Sequence, residues 1–508
     1  MWKSRSPKNN QPMELKPPFY KWVPVWIKLP ALFIFFFVVL TANGVYLGNA
    51  TDMYSGLGVY PEPFSEAYNA VYIGMGLGLL VEVRLKLRFS GKTLLLWGFS
   101  MMLIVNVVNM FTGNPSLMVA GCLILGFTKM AALIEIYIPW LVVWSKKMDT
   151  TRMYPFVYFT ALGGIYFITW LTAQLAWMYN WRLAYIAILI MLLVCILFAL
   201  VFVEDHPLRR RMPLYQMDTL GISLLLLFLL LLNYISVYGK TENWWESSNI
   251  RMATILLPVS FFAFVAREMT VKRPAVPLRF FKKAGFVKGL FLFFLLGIFL
   301  PSSIQGTFTA GVLDFENIRN AELNLFLIPG VTAAAILCYC WYFYKLNKKV
   351  LLFIGFGAFV LYYYILYTNL ATGLGLGNFW TMSLLKGFAI TTLYIVIGLY
   401  TTSGFPLNDV LAAGGIMILV RSFLGSGIIS GVYSYLLYAG RVRHLDILAG
   451  QPEADAGYGI KTVGYLRDME LQATMTASKE LCGIIITAGL VILGAIIFSH
   501  FFRSATHR

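Results

Sequence analysis

The sequence predicts an all-α, polytopic membrane protein, and three observations carry that prediction. Of the 508 residues, 59% are hydrophobic and only 12% charged, against about 45–50% apolar in soluble domains. The mean hydropathy is +0.74, and the apolar residues come in runs of about 20, the length that crosses a bilayer as a helix. The basic residues, which bring the net charge to +17, sit in short clusters between those runs. No water-soluble fold buries this much apolar surface and still covers itself with polar groups. The composition excludes an ordinary cytosolic enzyme, a secreted disulfide scaffold and a disordered chain. It also leaves no basic surface domain to bind nucleic acid.

Fourteen segments satisfy the length requirement, near 28–50, 66–87, 92–112, 116–145, 153–177, 182–203, 217–238, 250–267, 284–310, 322–344, 349–370, 377–402, 409–438 and 480–502. The long fourth and thirteenth runs are compatible with tilt or with continuation past the membrane surface. A barrel would instead show alternation over segments of about ten residues. The basic first twenty or so residues lack a compact signal-peptide core, so the first run is expected to remain as a helix. All five cysteines (Cys122, Cys195, Cys338, Cys340 and Cys482) lie in apolar runs and read as buried thiols.

Charge orients the spans. Basic clusters follow the second, fourth, sixth, eighth and tenth: Arg84, Lys86, Arg88 and Lys92, then Lys146-Lys147, then Arg209-Arg210-Arg211, then Lys272 to Lys283, then Lys345 to Lys349. The opposite connections carry acids, Asp52, Glu62 and Glu66 after the first span and Asp314 and Glu316 after the ninth. The positive-inside rule therefore expects both termini in the cytoplasm. The connection at 439–479 carries both signs of charge and reads as a solvated outer loop. It is also the one extramembrane stretch long enough to meet a partner.

Several stretches then resemble a known family. Asn180-Trp181-Arg182-Leu183-Ala184-Tyr185 resembles the Ser-Trp-Arg-x-x-Phe start of the sixth span in major facilitator drug/proton antiporters. Asp218-Thr219-Leu220-Gly221, the leucine-rich run to Tyr238-Gly239-Lys240, and Trp244, Trp245, Ser247 and Ser248 resemble the extra helix pair of the fourteen-helix drug:proton antiporter-2 subfamily. Pro274 to Phe281 is similar to its link into the second half. Leu419 to Gly427 is similar to its Arg-x-x-Gly-x-Ser-x-Gly helix, and Gln472 to Ala477 to the approach to its last span. The resemblance covers nearly the whole chain in order. It implies a major facilitator fold with 14 transmembrane helices, two six-helix bundles (28–203 and 284–502) with two extra central helices in 204–283. Short cytoplasmic tails would occupy 1–27 and 503–508.

The family's chemistry-bearing motifs are mostly replaced. Aligned on Gly91-Lys92, the loop after the second span puts Arg84 and Arg88 where the family has its first glycine and its aspartate. Glu82 stands nearby, either as a gate partner for these arginines or as an interfacial acid with snorkelling neighbours. The first span reads Leu40-Thr41-Ala42-Asn43-Gly44, without the family's acid, and Cys122 to Gly126 replaces an Arg-x-x-Gln-Gly motif. Gly163-Gly164 is all that corresponds to the fifth span's glycine–proline motif.

Ionisable residues at bilayer depth cost at least about 2.5–3.5 kcal/mol, so each is a candidate. Lys129 and Arg421 fall near the midplane of the fourth and thirteenth spans, and Lys386 lies about eight residues into the twelfth. Glu135 follows Lys129 by six positions, roughly 240° around the helix, so the two do not share a face. Two readings stand. Lys129 and Arg421 hold an anionic or amphiphilic substrate group while Glu135 or Glu82 carries a proton, or all of them lock the bundle. Asn43, Tyr68, Asn69, Tyr72, Asn106, Asn109 and Gln174 add neutral polarity, which structural hydrogen bonds also explain. The aromatic runs Phe33–Phe37 and Tyr362–Tyr364 read as lipid-facing bulk.

His206, His444, His500 and His507 form no metal motif, and no phosphate loop or nucleophile elbow occurs, so no enzyme chemistry, metal or cofactor is expected. The resemblance implies a bacterial inner-membrane exporter of small hydrophobic or amphiphilic compounds, driven by protons. Some members of the family work with a periplasmic adaptor and an outer-membrane channel, which the 439–479 stretch would contact. Two other readings remain: an uncoupled or differently coupled transporter of one endogenous amphiphile or anion, and a receptor or scaffold that moves nothing.

Overall fold

The computed structural model describes residues 19–144, 150–205, 217–450 and 463–498. Lys146-Lys147, Arg209-Arg210-Arg211, His206, His500, His507 and most of both expected tails lie outside them. Among the described residues every regular element is helical, with a lone bridge between Phe19 and Val203. This is what a bilayer demands, since each backbone polar group must be satisfied within its own segment.

The elements in chain order are α1 (Val25–Thr41), α2 (Gly44–Leu57), α3 (Glu62–Lys86), α4 (Gly91–Phe111) and α5 (Pro115–Trp144). Next come α6 (Thr150–Tyr158), a π segment (Phe159–Gly163), α7 (Gly164–Met178), α8 (Trp181–Phe202), α9 (Thr219–Tyr238) and α10 (Ser248–Thr270). The rest of the chain forms α11 (Ala284–Gly297), α12 (Ser303–Gly311), α13 (Asn317–Leu325), α14 (Leu327–Phe343), α15 (Lys348–Thr368) and α16 (Trp380–Thr402). It ends with α17 (Leu407–Ile418), a second π segment (Leu419–Ile428), α18 (Ile429–Gly450) and α19 (Val463–Phe498).

Eleven helices among the described residues are long and apolar enough to cross a membrane. The other three expected spans fall on α1–α2 and α11–α12, which are interrupted, and on α3, whose mean hydropathy is lowered by its charged ends. Side-chain caps fix several starts. Ser90 accepts from the Thr93 amide at 3.3 Å, Asn180 from Arg182 at 3.1 Å and Asp218 from Gly221 at 3.2 Å, each satisfying an otherwise orphaned N–H.

Two large apolar clusters make the core. One uses residues between Phe19 and Val203, and the other runs from Leu225 to Ile496 with Ile73, Leu77 and Leu80 of α3 added. A small third cluster joins them through Leu79, Met130, Ile134, Ile138 and Ile418. The pair α9–α10 leans on both. Asn69 Nδ2 donates to Asn233 Oδ1 at 2.9 Å and Tyr238 Oη to Glu66 Oε2 at 3.0 Å, while Trp244 packs edge-on against Tyr435 of α18.

Two expectations are corrected. The stretch 439–479 is not a loop over most of its length, because α18 runs on to Gly450 and α19 begins at Val463. From Asp409 the helical run is 42 residues, about 60 Å against a hydrocarbon core of about 30 Å. The continuation is zipped by Arg441–Glu470 at 3.3 Å, by Arg443 to Glu480, and by His444 Nε2 to Glu480 at 3.1 Å. The aromatic runs are not lipid-facing throughout either. Phe35, Phe36, Tyr362 and Tyr363 are buried, and Phe33 and Tyr364 face outward, as helical periodicity requires of consecutive residues.

Glycine sets the closest helix contacts. A Cβ on Gly126 of α5 would run into the Val71 carbonyl of α3, and one on Gly74 into the Leu123 carbonyl of α5. The same reciprocal arrangement joins Gly330 of α14 to Leu384 and Gly387 of α16 to Leu327. Backbone here meets backbone, so no side chain exists to yield. Gly126→Val or Gly387→Val is expected to force these helices apart and to cost more than about 3 kcal/mol. The readout is the yield of monodisperse protein in detergent size-exclusion chromatography, with Gly494→Val, which has open space beside it, as the tolerated control.

Candidate functional site

The membrane-depth cations have partners that periodicity does not reveal. Lys129 is 4% exposed, and its Nζ donates to the Leu40 carbonyl at 2.7 Å and to Asn43 Oδ1 at 2.6 Å. Both acceptors lie where α1 stops and α2 restarts. Non-helical backbone at this depth survives only when buried and satisfied, and the lysine provides that satisfaction. Asn43 and Lys129, read separately in the sequence, are therefore one unit.

Lys386 is 5% exposed and reaches the second interruption, whose own Ile298, Phe299 and Pro301 carbonyls accept from Tyr433 and Tyr363. Its Nζ donates to Ser302 Oγ at 2.9 Å and to Gln305 Oε1 at 3.5 Å, where α11 gives way to α12 through Pro301. Tyr362 adds its ring 5.4 Å from the ammonium and a hydroxyl bond to the same Gln305 oxygen at 2.9 Å.

Arg421 occupies the seam between the two clusters. It sits in the second π segment, and Nη1 donates to Tyr158 Oη at 2.6 Å, at the edge of the first π segment. Its guanidinium lies 4.3 Å from the Tyr394 ring centre, 5.7 Å from that of Tyr158 and 5.9 Å from that of Phe293. Tyr72 and Tyr154 lie within electrostatic reach, and Tyr72 shares a 2.6 Å hydroxyl contact with Tyr68. Arg421, Tyr68, Tyr72, Tyr154, Tyr158 and Tyr166 are half-buried, not sealed. They present one guanidinium and several hydroxyl and π faces to a common interior. Among the described residues no carboxylate pairs with Arg421. Cation–π contact over a desolvated ring contributes about 2 kcal/mol, so the cage holds the charge in place while leaving guanidinium donors for another acceptor. The nearby glycines serve packing: Gly425 meets Gly297, and Gly427 faces Asn69.

At the end of α3 the acids and bases separate. Lys86 Nζ pairs with Glu135 at 2.8 Å, a link the sequence reading missed by counting Lys86 only as part of a basic cluster. Glu135 also lies against the start of α4, where a Cβ on Gly91 would come within 2.7 Å of its Oε2. Glu82 is fully buried, and neither carboxyl oxygen has a hydrogen-bond partner among the described residues. The arginines reach elsewhere: Arg84 donates to the Arg273 and Pro274 carbonyls at 3.3 and 3.5 Å. Arg88 stands in the turn closing α3, its backbone amide on the Leu85 carbonyl, and Lys92 donates to the Leu200 carbonyl at 3.0 Å.

Some of the other polar residues are locally satisfied, whereas the buried Asn109 amide has no hydrogen-bond partner among the described residues. Asn106 donates to the Met102 carbonyl at 2.8 Å, and Asn109 faces Gly121 of α5. Gln174 is half-buried on α7. Glu268, which the sequence reading passed over, accepts from the Ala275 and Val276 amides at 3.1 and 3.2 Å. Asp218 beside it pairs with Arg267 at 3.1 Å. Among the described residues no group of three or more His, Cys, Asp or Glu could hold a metal ion.

No family model matches the chain. Among curated proteins, the multidrug export protein EmrB of Escherichia coli K12 is 23% identical over 230 residues, 44% of this chain and 43% of EmrB. EmrB of Haemophilus influenzae is 22% identical over 218 residues, 41% of each chain. The matched region thus spans less than half the length of these relatives. Among solved structures, the proton-dependent oligopeptide family transporter PepTSo superposes with a TM-score of 0.57 at 13% identity, covering 92% of this chain and 98% of its own. The nucleoside transporter NupG superposes at 0.51 with 12% identity, covering 92% of this chain and 99% of its own. The helical architecture built above is the major facilitator fold.

Proposed function

We propose that the protein is a secondary transporter of the bacterial inner membrane that exports small hydrophobic or amphiphilic compounds by alternating access. The observation that carries this reading is the seam at Arg421. A guanidinium from the C-terminal part is held by Tyr158 from the N-terminal part, within a half-buried aromatic interior that both parts line. Substrates of repeat-built transporters bind at such an interface, and rocking of one bundle against the other exposes it in turn to each side. The bundles in this reading are 28–203 and 284–502, with the extra pair in 204–283 and both termini cytoplasmic. The multidrug export relatives support outward transport of diverse compounds. Any periplasmic adaptor and outer-membrane channel would engage the paired ends of α18 and α19.

Proton coupling is assigned to Glu82, with Glu135 as its neighbour. A buried carboxyl without partners is the group whose charge changes most readily with access, and the Lys86–Glu135 pair beside it offers a relay. A second reading, transport of a specific anionic amphiphile without proton coupling, is favoured by Lys129, Lys386 and Arg421, which have only neutral partners among the described residues.

In a pump-deficient bacterium, the intact protein is expected to raise tolerance to some members of a panel of dyes, detergents, bile salts and antibiotics. Arg421→Ala at matched membrane expression should abolish that tolerance, and Lys129→Ala should reduce it. Absence of any tolerance with well-inserted protein would overturn the export reading. In proteoliposomes, Glu82→Gln should lose accumulation driven by a pH gradient while retaining substrate counterflow. Gradient-driven accumulation that survives in Glu82→Gln would remove Glu82 from the coupling role, and intact protein indifferent to the gradient would favour the uncoupled reading.

A further inference from the structure

The two lysine-filled interruptions are copies of one device. The helix starts Val25 and Gly44 recur as Ala284 and Ser303, both 259 positions further along. The same displacement carries Asn43, an acceptor for Lys129, onto Ser302, an acceptor for Lys386. The helices that supply the lysines, α5 and α16, are those packed through the reciprocal glycines Gly126 and Gly387. Lys129 follows its glycine by three positions and Lys386 precedes its own by one. In that common frame the lysines are four residues apart, on one helical face.

The chemistry of each break is also shared. The acceptors are a main-chain carbonyl and a side-chain amide oxygen in one, a hydroxyl and an amide oxygen in the other. No carboxylate takes part in either among the described residues. Neutral oxygens gathered where a membrane helix unwinds are the donor set that holds monovalent cations in transport proteins. We propose that the two helix breaks are pseudo-equivalent monovalent-cation sites, each occupied by a lysine side chain in place of a free ion. The tethered charge keeps each broken helix assembled whatever the ionic composition on either side of the membrane. Removing the lysine side chain uncovers a site for a small ammonium or alkali ion.

The inference is independent of what the protein transports, so its test is stability. Purified Lys129→Ala and Lys386→Ala are melted in detergent in methylammonium, sodium and choline chloride at equal ionic strength. In choline, too large for the break, both variants should melt below the intact protein by about 4 °C or more, from the loss of two charge-assisted hydrogen bonds. Methylammonium or sodium should recover at least half of that loss with a saturable dose dependence, and the intact protein should not respond. Equal melting of both variants in all three salts would overturn the proposal. So would Lys→Met variants as stable as the intact chain, since a packed methylene stem would then suffice. If the alanine variants do not fold, Asn43→Leu and Ser302→Ala keep the lysines and remove one acceptor each. Lower melting with no methylammonium response is then expected, and unchanged melting in both would refute the cation sites.

Discussion

A bilayer allows no backbone carbonyl to go unpaired at its centre, and this chain breaks two of its helices there. The placement of both buried lysines follows from how those breaks are closed. At the first break the Leu40 carbonyl is met by Lys129. At the second the Phe299 and Pro301 carbonyls are met by Tyr363 and the Ile298 carbonyl by Tyr433, while Lys386 takes the side-chain oxygens of Ser302 and Gln305. At the first break neither partner is stable without the other: without the ammonium the Leu40 carbonyl and Asn43 oxygen lose their donor, and without the break the ammonium is an unpaired charge in hydrocarbon. The requirement is mutual.

Close glycine packing makes the arrangement possible. A lysine stem reaches a neighbouring helix break only if the helices around it are held at a fixed register. The reciprocal glycine contacts of α3 with α5 and of α14 with α16 fix that register backbone to backbone. Arg421 obeys a different rule. Its helix is widened into a π segment, its charge is spread over aromatic faces, and its one short hydrogen bond crosses to the other part of the molecule. The lysines hold each part together, while the arginine joins the parts.

The helical membrane architecture was legible because hydropathy is additive along a segment, and eleven of the expected spans meet the same length and hydropathy test as helices in the structure. The interruptions carried breaker residues, Asn43-Gly44 and Pro301, but these were absorbed into apolar runs because counting by length averages over them. The depth of Lys129, Lys386 and Arg421 could be counted from span ends. Their partners could not, because those are a main-chain carbonyl, a serine, one glutamine and one asparagine, and a tyrosine 263 positions away. Glu82 and Glu135 were visible as misplaced acids, whereas Lys86 was hidden in a cluster that charge bias already explained. The 439–479 stretch was misread for a related reason: mixed charge marks exposure to water and carries no information about whether the exposed backbone is coiled.

The π segments flanking the Tyr158–Arg421 contact have a mechanical consequence. A π turn spaces its hydrogen bonds five residues apart where an α turn uses four, so each carries surplus chain within one turn. Restoring α geometry at the 419–428 segment would swing α18 about its own axis by on the order of 100° for each residue taken up. The latch residue sits near the start of that surplus and the long arm of α18 follows its end. The segment is in effect a torsion joint. An event that pulls Arg421 away from its tyrosine would turn the far tip of the helix, and a load on that tip would twist the arginine.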